Sequence, residues 1–319
     1  MRGKNQTSVT EFILLGFSDH PLLQSLICGT VLLIYLISIL GNFVFLMLMC
    51  ADPQLHKPMY FFLSNLSILD ICSTSLTLLK MLDSYLSQNN SISFHACMTQ
   101  VYLFIYFTGT ELFLLSAMAY DRYVAICNPL RYSLIMKKIV CILLAASSWV
   151  ISFFGVLPVP YMISQLNYCR SNEINHFFCD PSALMKLSCS DTHRVENVIL
   201  VEGIFVGFIP FLLTLSSYVF IISAILSIRS SEGRTKAFST CASHLTSVVL
   251  FYVTVMGMYM RPSSVYSPGQ DKLFSLLYTA MIPTLNPIIY TLRNRDIKSA
   301  LRKMKHKIKN SGKNMKHVC

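Results

Sequence analysis

The chain has 319 residues, of which 54% are hydrophobic and 13% are charged, and its formal net charge is +11. Ordinary soluble domains carry about 25% charged residues, so this composition excludes a typical soluble protein. The apolar residues also occur in long runs, which excludes one unusually large water-soluble core and indicates a membrane protein.

The chain begins with a polar segment, residues 1–22, that we predict to be an extracellular tail. Residues 1–20 carry Glu11 and Asp19 and lack the apolar core of a cleavable signal peptide, so we expect the first apolar run to direct membrane insertion itself. The sequence Asn5-Gln6-Thr7 is a glycosylation sequon, which makes Asn5 a predicted acceptor. Asn89 begins a second sequon, Asn89-Asn90-Ser91, and the sequence leaves open whether it is glycosylated.

We predict a transmembrane domain over residues 23–292 on the basis of seven apolar runs, each about as long as the ~20 residues that a helix needs to cross hydrocarbon. Five of them lack Asp, Glu, Lys and Arg, one contains Asp70 and Lys80, and one contains Glu111. The fold class that we predict is therefore an all-α membrane protein with a seven-transmembrane helix bundle. The runs are residues 21–51, 58–82, 96–120, 139–169, 203–228, 237–260 and 273–292.

The basic residues predict the orientation of the bundle. With the N-terminus outside, eighteen of the 26 Lys and Arg residues fall on the inner side, ten of them in the cytoplasmic tail 293–319. This asymmetry follows the positive-inside rule, so the net charge is a property of the cytoplasmic face and does not indicate nucleic-acid binding. In the tail, Ile297, Ala300, Leu301 and Met304 recur at helical spacing, which predicts a short amphipathic helix on the inner leaflet. Beyond Lys309 a solvated tail is an equal alternative.

Four of the eleven cysteines fall in outer segments, where disulfides form: Cys97, Cys169, Cys179 and Cys189. Four cysteines allow three pairings, which the spacing leaves open. A link from the long outer loop to the third run would close about 80 residues, worth roughly 4 kcal/mol in the chain-entropy model. The other seven cysteines are interpreted as small apolar residues.

Polar residues inside the apolar runs need partners and usually face the bundle interior. They are Asn42, Asp70, Glu111 and Asn286. Two carboxylates in a medium of low dielectric repel each other, so we hypothesise a sodium or proton site formed by Asp70, Glu111 and Asn286. The alternative is that both carboxyl groups are neutral and hydrogen-bonded within the packed bundle. No other metal or cofactor site is predicted.

The sequence Asp121-Arg122-Tyr123 follows the third apolar run and adjoins a basic inner loop. Asp121 can restrain Arg122, and the hydroxyl group of Tyr218 or Tyr290 could receive the guanidinium group when helices move. A lone Arg that extends to the lipid headgroups is the alternative. We interpret the set as a conformational switch.

Together these motifs resemble those of the olfactory receptor family, which belongs to the rhodopsin-like G-protein-coupled receptors. The resemblance covers residues 10–305 and is closer to the tetrapod-type (class II) branch. The segments that carry it are residues 55–67 (LHKPMYFFLSNLS), 118–127 (MAYDRYVAIC), Ser217-Tyr218, 236–244 (KAFSTCASH), 283–290 (PTLNPIIY) and Gly41-Asn42.

The resemblance implies disulfides Cys97–Cys179 and Cys169–Cys189. It also implies a switch comprising Asp121, Arg122, Tyr123, Tyr218, Asn286, Pro287 and Tyr290. The expected partners are a small odorant, a heterotrimeric stimulatory G protein that raises cyclic AMP, and the bilayer of the plasma membrane.

The resemblance further implies an odorant cavity in the outer half of the bundle. Its candidate residues are Phe104, Ile105, Thr108, Glu202, Val206, Tyr252, Val255, Tyr259, Leu276 and Thr279, each of which could instead be a packing residue. Phe104 occupies the place where amine receptors of the wider superfamily carry an aspartate, which argues against a simple amine bound in that mode. Glu202 either attracts a polar or cationic odorant or reaches water at the outer helix end, and the second interpretation is slightly favoured.

Other functional classes are less well supported by the sequence. A secondary transporter would be expected to show matching halves with interrupted spans, and we find none. The chain has no His-Glu-x-x-His sequence and no defensible catalytic dyad, so we do not expect an enzyme. A non-olfactory chemosensory receptor of the same superfamily stays an alternative.

Overall fold

The computed structural model describes residues 9–17, 21–169, 171–259, 268–293 and 296–305. Within them, seven helices are long and apolar enough to cross a membrane, as predicted. We call them spans 1–7. They comprise Pro21–Ala51 (span 1), Pro58–Ser87 (span 2), Phe94–Cys127 (span 3), Lys138–Gly155 with Pro158–Ser164 (span 4), His193–Glu202 with Gly203–Phe208 and Ile209–Leu226 (span 5), Ser231–Tyr259 (span 6), and Pro268–Leu276 with Leu277–Met281 and Ile282–Arg293 (span 7). Asn5 and residues 306–319 lie outside the described residues.

Spans 3 and 5 extend furthest beyond their predicted limits. Span 3 continues as a helix to Cys127, so the predicted switch residues lie within the helix and Asp121 is completely buried. Span 5 begins at His193, about ten residues earlier than predicted, and its first turn is supported by the Asp191 and Thr192 side chains. Polar side chains of this kind favour a helix start even though they interrupt the apolar run.

The outer face carries a small sheet that the sequence did not predict. Strand β1 (Glu11–Leu14) lies between β2 (Ser91–Ser93) and β3 (Glu173–Ile174), antiparallel to the first and parallel to the second. In this way the N-terminal segment joins the loop between spans 2 and 3 to the loop between spans 4 and 5. The helix Pro181–Leu187 completes the outer loop, and the buried Asp180 side chain caps it by accepting from the Ser182 and Ala183 N–H groups.

Two disulfides hold this outer layer, and they have the pairing that the resemblance implies. Cys97, at the outer end of span 3, bonds to Cys179, and Cys169 bonds to Cys189. The sequence separations are 82 and 20 residues. In the chain-entropy model these closures contribute about 4.5 and about 3 kcal/mol, so the link to span 3 is the stronger constraint.

The inner face is closed by the helix at residues 296–305. Ile297 and Ala300 are buried in the main hydrophobic cluster of the bundle, and ion pairs join Lys57 to Asp296 (2.6 Å) and Lys303 to Asp52 (3.1 Å). The apolar face that was predicted to lie on lipid therefore packs against protein. The physical reason is that the loop between spans 1 and 2 supplies one carboxylate partner, Asp52, and one cationic partner, Lys57, which the tail sequence alone does not reveal.

Asn42 on span 1 and Pro287 on span 7 lie at the contact between these two helices. Pro287 has no N–H group and cannot bond to the carbonyl of Pro283, four residues earlier. The Asn42 Nδ2 atom donates to that carbonyl at 3.0 Å, and also to the carbonyl of Ser38 at 3.0 Å. At the same level, a Cβ atom on Gly41 would lie 3.1 Å from Pro287 Cγ, so a glycine permits this close approach. Asn42 is thus a structural residue.

The packing of span 3 on span 5 leads to a stability prediction. A Cβ atom on Gly109 would lie 2.9 Å from Val206 Cγ1, which is closer than packed carbon atoms approach. We expect Gly109→Ala to lower the free energy of unfolding by about 1–3 kcal/mol through overpacking. The measurement is the melting temperature of the purified protein.

Val206→Ala shortens the opposing side chain, so adding it to Gly109→Ala should recover most of the lost melting temperature. Gly29→Ala is the matched control, because a Cβ atom there meets nothing within 4 Å. A double variant that is no more stable than Gly109→Ala alone would contradict the proposed clash.

Candidate functional site

The inner end of span 3 holds a compact charged group. Arg122 forms an ion pair with Asp121, and its Nε atom donates to Asp121 Oδ2 at 3.1 Å. The Tyr132 hydroxyl, from the inner loop, donates to Asp121 Oδ1 at 2.7 Å. Each carboxylate oxygen of Asp121 therefore accepts a hydrogen bond, and these charge-assisted bonds hold the Arg122 side chain against its own helix, span 3. Sequence reasoning missed Tyr132, because nothing in its local sequence indicates that it folds back onto span 3.

Tyr218 and Tyr290, the tyrosines predicted to form a hydrogen bond with Arg122 in a second state, have other neighbours in this structure. The Tyr218 hydroxyl is hydrogen-bonded to His244 Nδ1 at 2.7 Å, and the two rings are stacked. Tyr290 is buried, and its hydroxyl has no hydrogen-bond partner among the described residues. Tyr123 packs its ring near that of Phe220 on span 5, with 5.9 Å between the centroids. The structure thus brings Asp121 and Arg122 together and pairs Tyr218 with a residue of span 6.

His244 is a second residue at the inner end of the bundle that sequence reasoning missed. It lies in the segment 236–244 that carried the family resemblance, but no role was assigned to it. It is completely buried in span 6. A buried histidine in an apolar helix usually has a hydrogen-bond partner, and this was the available signal.

The polar residues at mid-depth form two hydrogen-bonded groups. Asn286 Nδ2 donates to both oxygens of Asp70, at 3.2 and 3.1 Å, which connects spans 2 and 7. Glu111 instead accepts from the Tyr278 hydroxyl at 3.5 Å, and this hydroxyl also bonds to Thr108 at 2.9 Å. All these side chains are buried. Of the three predicted ion-site residues, the structure places Asp70 and Asn286 in direct contact and gives Glu111 a separate partner.

The candidate ligand residues mostly share one hydrophobic cluster. Phe104 and Tyr252 are buried in it, and Ile105, Val206, Val255 and Leu276 pack against it half-buried. Thr108 is buried and bonded to Tyr278, whereas Thr279 is buried and donates to the carbonyl of Ser275 on its own helix. The side chain of Tyr259 lies outside the described residues. Glu202 is half-buried on span 5.

Aromatic rings connect the outer loop to the interior of the bundle. The Phe104 ring lies 5.0 Å from that of Phe178 in the outer loop and 5.7 Å from that of Tyr278. Phe251 then contacts Tyr278 and Tyr252, with centroid distances of 5.6 and 5.9 Å. Sequence reasoning missed Phe178, Phe251 and Tyr278, because their roles depend on which helix faces they occupy.

The outer loop covers this cluster with a buried histidine. The His176 ring stacks on Phe177 at 4.7 Å and meets the edge of Phe178 at 4.6 Å. Its Nδ1 atom accepts from the Phe178 N–H group at 3.4 Å. Burial, together with the nearby charge of Lys272, lowers the pKa of His176 to about 3. The ring is therefore neutral at physiological pH. In the same loop, burial raises the pKa of Asp180 to about 6.

The chain is similar along nearly its whole length to known proteins. A family model described as "Olfactory receptor" matches residues 31–307. Olfactory receptor 1E5 of Pan troglodytes is 48% identical over 310 residues, which cover 97% of this chain and 99% of that protein. Olfactory receptor 1E1 of Homo sapiens is 48% identical over 309 residues, covering 97% and 98%. Olfactory receptor 5AP2 of Mus musculus is 48% identical over 306 residues, covering 96% of each.

The neutral His176 ring predicts a loss of stability in acid. The unfolded chain binds a proton at this residue below about pH 6.5, whereas the folded protein does not until about pH 3, so stability falls as the pH falls through 6.5. Between pH 7 and pH 5 we expect a contribution of about 2 kcal/mol. The measurement is the melting temperature of the purified protein at both pH values.

His176→Gln cannot gain a proton in this range and retains a hydrogen-bond acceptor. Its melting temperature should therefore fall less between pH 7 and pH 5 than that of the unsubstituted protein. Protonation of Asp180 changes the stability in the opposite direction as the pH falls. Asp180 is present in both proteins, so its effect cancels in the comparison. Equal acid losses in the two proteins would show that His176 is not the group responsible.

Proposed function

The chain belongs to the olfactory receptor family, and we propose that it binds a small volatile odorant in the outer half of the bundle and activates a stimulatory, olfactory-type G protein. It is a multi-pass, odorant-sensing G-protein-coupled receptor and not an enzyme. We place it in the plasma membrane with the N-terminus outside, which the basic inner loops and tail favour. The expected cellular response is a rise in cyclic AMP.

The main observation in support of the proposal is the buried ion pair between Arg122 and Asp121. The Tyr132 hydroxyl stabilises this pair by donating a hydrogen bond to Asp121. A buried charge is retained where its partner is close, and it can move only to another polar partner. Tyr218 offers such a partner, but its hydroxyl is bonded to His244 in this structure. Two arrangements of Arg122 therefore define two states, and a ligand that favours one of them shifts the population.

Span 6 supplies the connection between the odorant and this pair. Tyr252, at the ligand cluster, and His244, at the inner cluster, lie on one continuous helix, Ser231–Tyr259. The eight residues between them correspond to about 12 Å along the helix axis. We propose that an odorant displaces the outer part of span 6 and that His244 then releases Tyr218, whose hydroxyl becomes available to Arg122.

The ligand site that we propose comprises Phe104, Ile105, Thr108, Glu202, Val206, Tyr252, Val255, Tyr259, Leu276 and Thr279. Most of these side chains are apolar or aromatic, as expected of a pocket for a small volatile molecule. The rings of Phe178 and Tyr278 add to it, because both contact Phe104. The outer loop thereby covers the ligand cluster.

We further propose that Asp70, Glu111 and Asn286 hold a sodium ion or share a proton. The two Asp70 oxygens share a single amide donor, Asn286 Nδ2, so each retains lone pairs for a cation or a proton. A sodium ion would neutralise the buried acidic charge between spans 2, 3 and 7 and favour the arrangement in which Asn286 and Asp70 are in contact. Neutral, hydrogen-bonded carboxyl groups are the alternative.

The test of receptor function uses the full chain with an epitope tag in cells that express the olfactory-type G protein. A panel of volatile compounds should contain at least one that raises cyclic AMP, and Arg122→Gln should reduce this response more than tenfold because it removes the charge that changes partners. Arg194→Gln is the matched control, because Arg194 is exposed on the outer side. Surface expression is measured for each variant.

An unchanged cyclic AMP response from Arg122→Gln would contradict the proposed switch. Uptake of a compound, or a current, that persists without G protein would instead indicate a transporter.

The ion site leads to a separate prediction. Replacing external sodium by choline should raise agonist potency about threefold or more in the unsubstituted receptor, because the cation favours the inactive arrangement. Asp70→Asn should abolish this dependence, whereas Asp83→Asn should retain it, since Asp83 is exposed on the same helix. If potency is independent of sodium in all three proteins, the carboxyl groups are neutral or merely structural.

A further inference from the structure

Glu202 is a half-buried acid whose carboxylate group has no hydrogen-bond partner among the described residues. Both carboxylate oxygens are shielded from solvent, and neither has a hydrogen-bond partner. This contradicts the favoured sequence interpretation, that Glu202 reaches water at the outer end of its helix. The reason is that span 5 begins at His193, so Glu202 lies more than two turns inside the helix.

The contacts of span 5 show which way Glu202 faces. Val195 is buried, and Ile199 packs against the same outer hydrophobic cluster, which also contains Cys97 and Val101 of span 3. Val206, one turn deeper than Glu202, contacts the position of Gly109 on span 3. Residues 195, 199 and 202 recur at α-helical spacing and form one inward stripe. The chain then continues as a π-helix, Gly203–Phe208, in which Val206 also faces span 3. Glu202 is the acidic member of this stripe and lies on the side that faces span 3.

A second unpartnered oxygen lies nearby on span 4. Ser152 is completely buried, and its Oγ atom has no hydrogen-bond partner among the described residues. This atom would be 3.4 Å from a Cβ on Gly109, the same position that Val206 approaches to 2.9 Å. Ser152 therefore lies at the depth of Val206, which is four residues beyond Glu202 in the π-helical segment Gly203–Phe208. The Glu202 carboxylate and the Ser152 hydroxyl thus both lie in the region where spans 3, 4 and 5 meet.

Neither Glu202 nor Ser152 has a cationic partner among the described residues, and an ionised carboxylate can only accept hydrogen bonds. Burying an acid without a partner is costly, whereas a ligand that supplies N–H groups and a positive charge removes this cost. The neighbouring side chains Ile105, Val198 and Val206 are aliphatic and suit a hydrocarbon tail.

We propose that Glu202 is the anchor for a protonated primary amine, with Ser152 as a second acceptor. This inference rests on the proposed function, because it names the chemical class of odorant for that receptor. The anchor lies on span 5, so the sequence argument against an amine held at Phe104 is unaffected.

The test measures binding to the purified full-length receptor and is independent of G protein. The probes are hexylamine, cyclohexylamine and 2-phenylethylamine, each compared at pH 7.4 with the alcohol of the same carbon skeleton. At least one amine should bind more tightly than its alcohol, as judged by the concentration that raises the melting temperature. Glu202→Gln has nearly the same shape without the charge and should weaken that amine about 30-fold or more, with little effect on the alcohol.

Glu196→Gln is the matched control, because it makes the same change at an exposed acid of the same helix and should leave amine affinity unchanged. Ser152→Ala should weaken the amine about fivefold. If Glu202→Gln fails to fold, Glu202→Asp replaces it and should retain a preference for the amine over the alcohol.

The proposal is wrong if no amine binds more tightly than its alcohol, or if Glu202→Gln retains the affinity of the unsubstituted receptor. A receptor that binds amines through Glu202 but raises no cyclic AMP would support this inference and contradict the proposed signalling function. The two proposals can therefore fail separately.

Discussion

Inside a membrane, a buried polar group has no bulk water to bond with, so each group must find a partner within the protein. This constraint explains the main contacts between the spans. Asn42 bonds the Pro283 carbonyl that Pro287 leaves free, and Asn286 bonds Asp70. Asp121 accepts from Arg122 and from Tyr132. Because the bonds of Asn42 and Asn286 join residues 241 and 216 positions apart, satisfying these polar groups also sets how the helices pack.

The same constraint gives the bundle two functional ends. The outer end is covered by a loop that two disulfides and a three-stranded sheet hold in place, so its aromatic residues present a defined surface to span 3. At the inner end, Asp121 is bonded to Arg122 and Tyr132, and Tyr218 is bonded to His244, bonds that the proposed helix movement would exchange. A rigid outer layer and an exchangeable inner set of bonds are what a receptor needs, since a ligand acts only through its different affinity for two states.

Against this background, unpartnered groups are informative. The Glu202 carboxylate and the Ser152 hydroxyl lie in an otherwise apolar region and bond to none of the described residues. A structure that pairs Asp70, Asp121 and Glu111 does not lack the means to pair an acid. The exception at Glu202 is therefore the reason that we propose a group from outside the chain as its partner.

The sequence by itself determined the seven spans and the motif residues, because apolar length and local motifs are properties of consecutive residues. It could not determine that span 5 begins at His193, since polar capping side chains interrupt the apolar signal there. Nor could it show that Tyr132 bonds Asp121, that His244 bonds Tyr218, or that Ile297 packs into the core. These facts depend on how helices rotate and cross, so only the tertiary structure decided them.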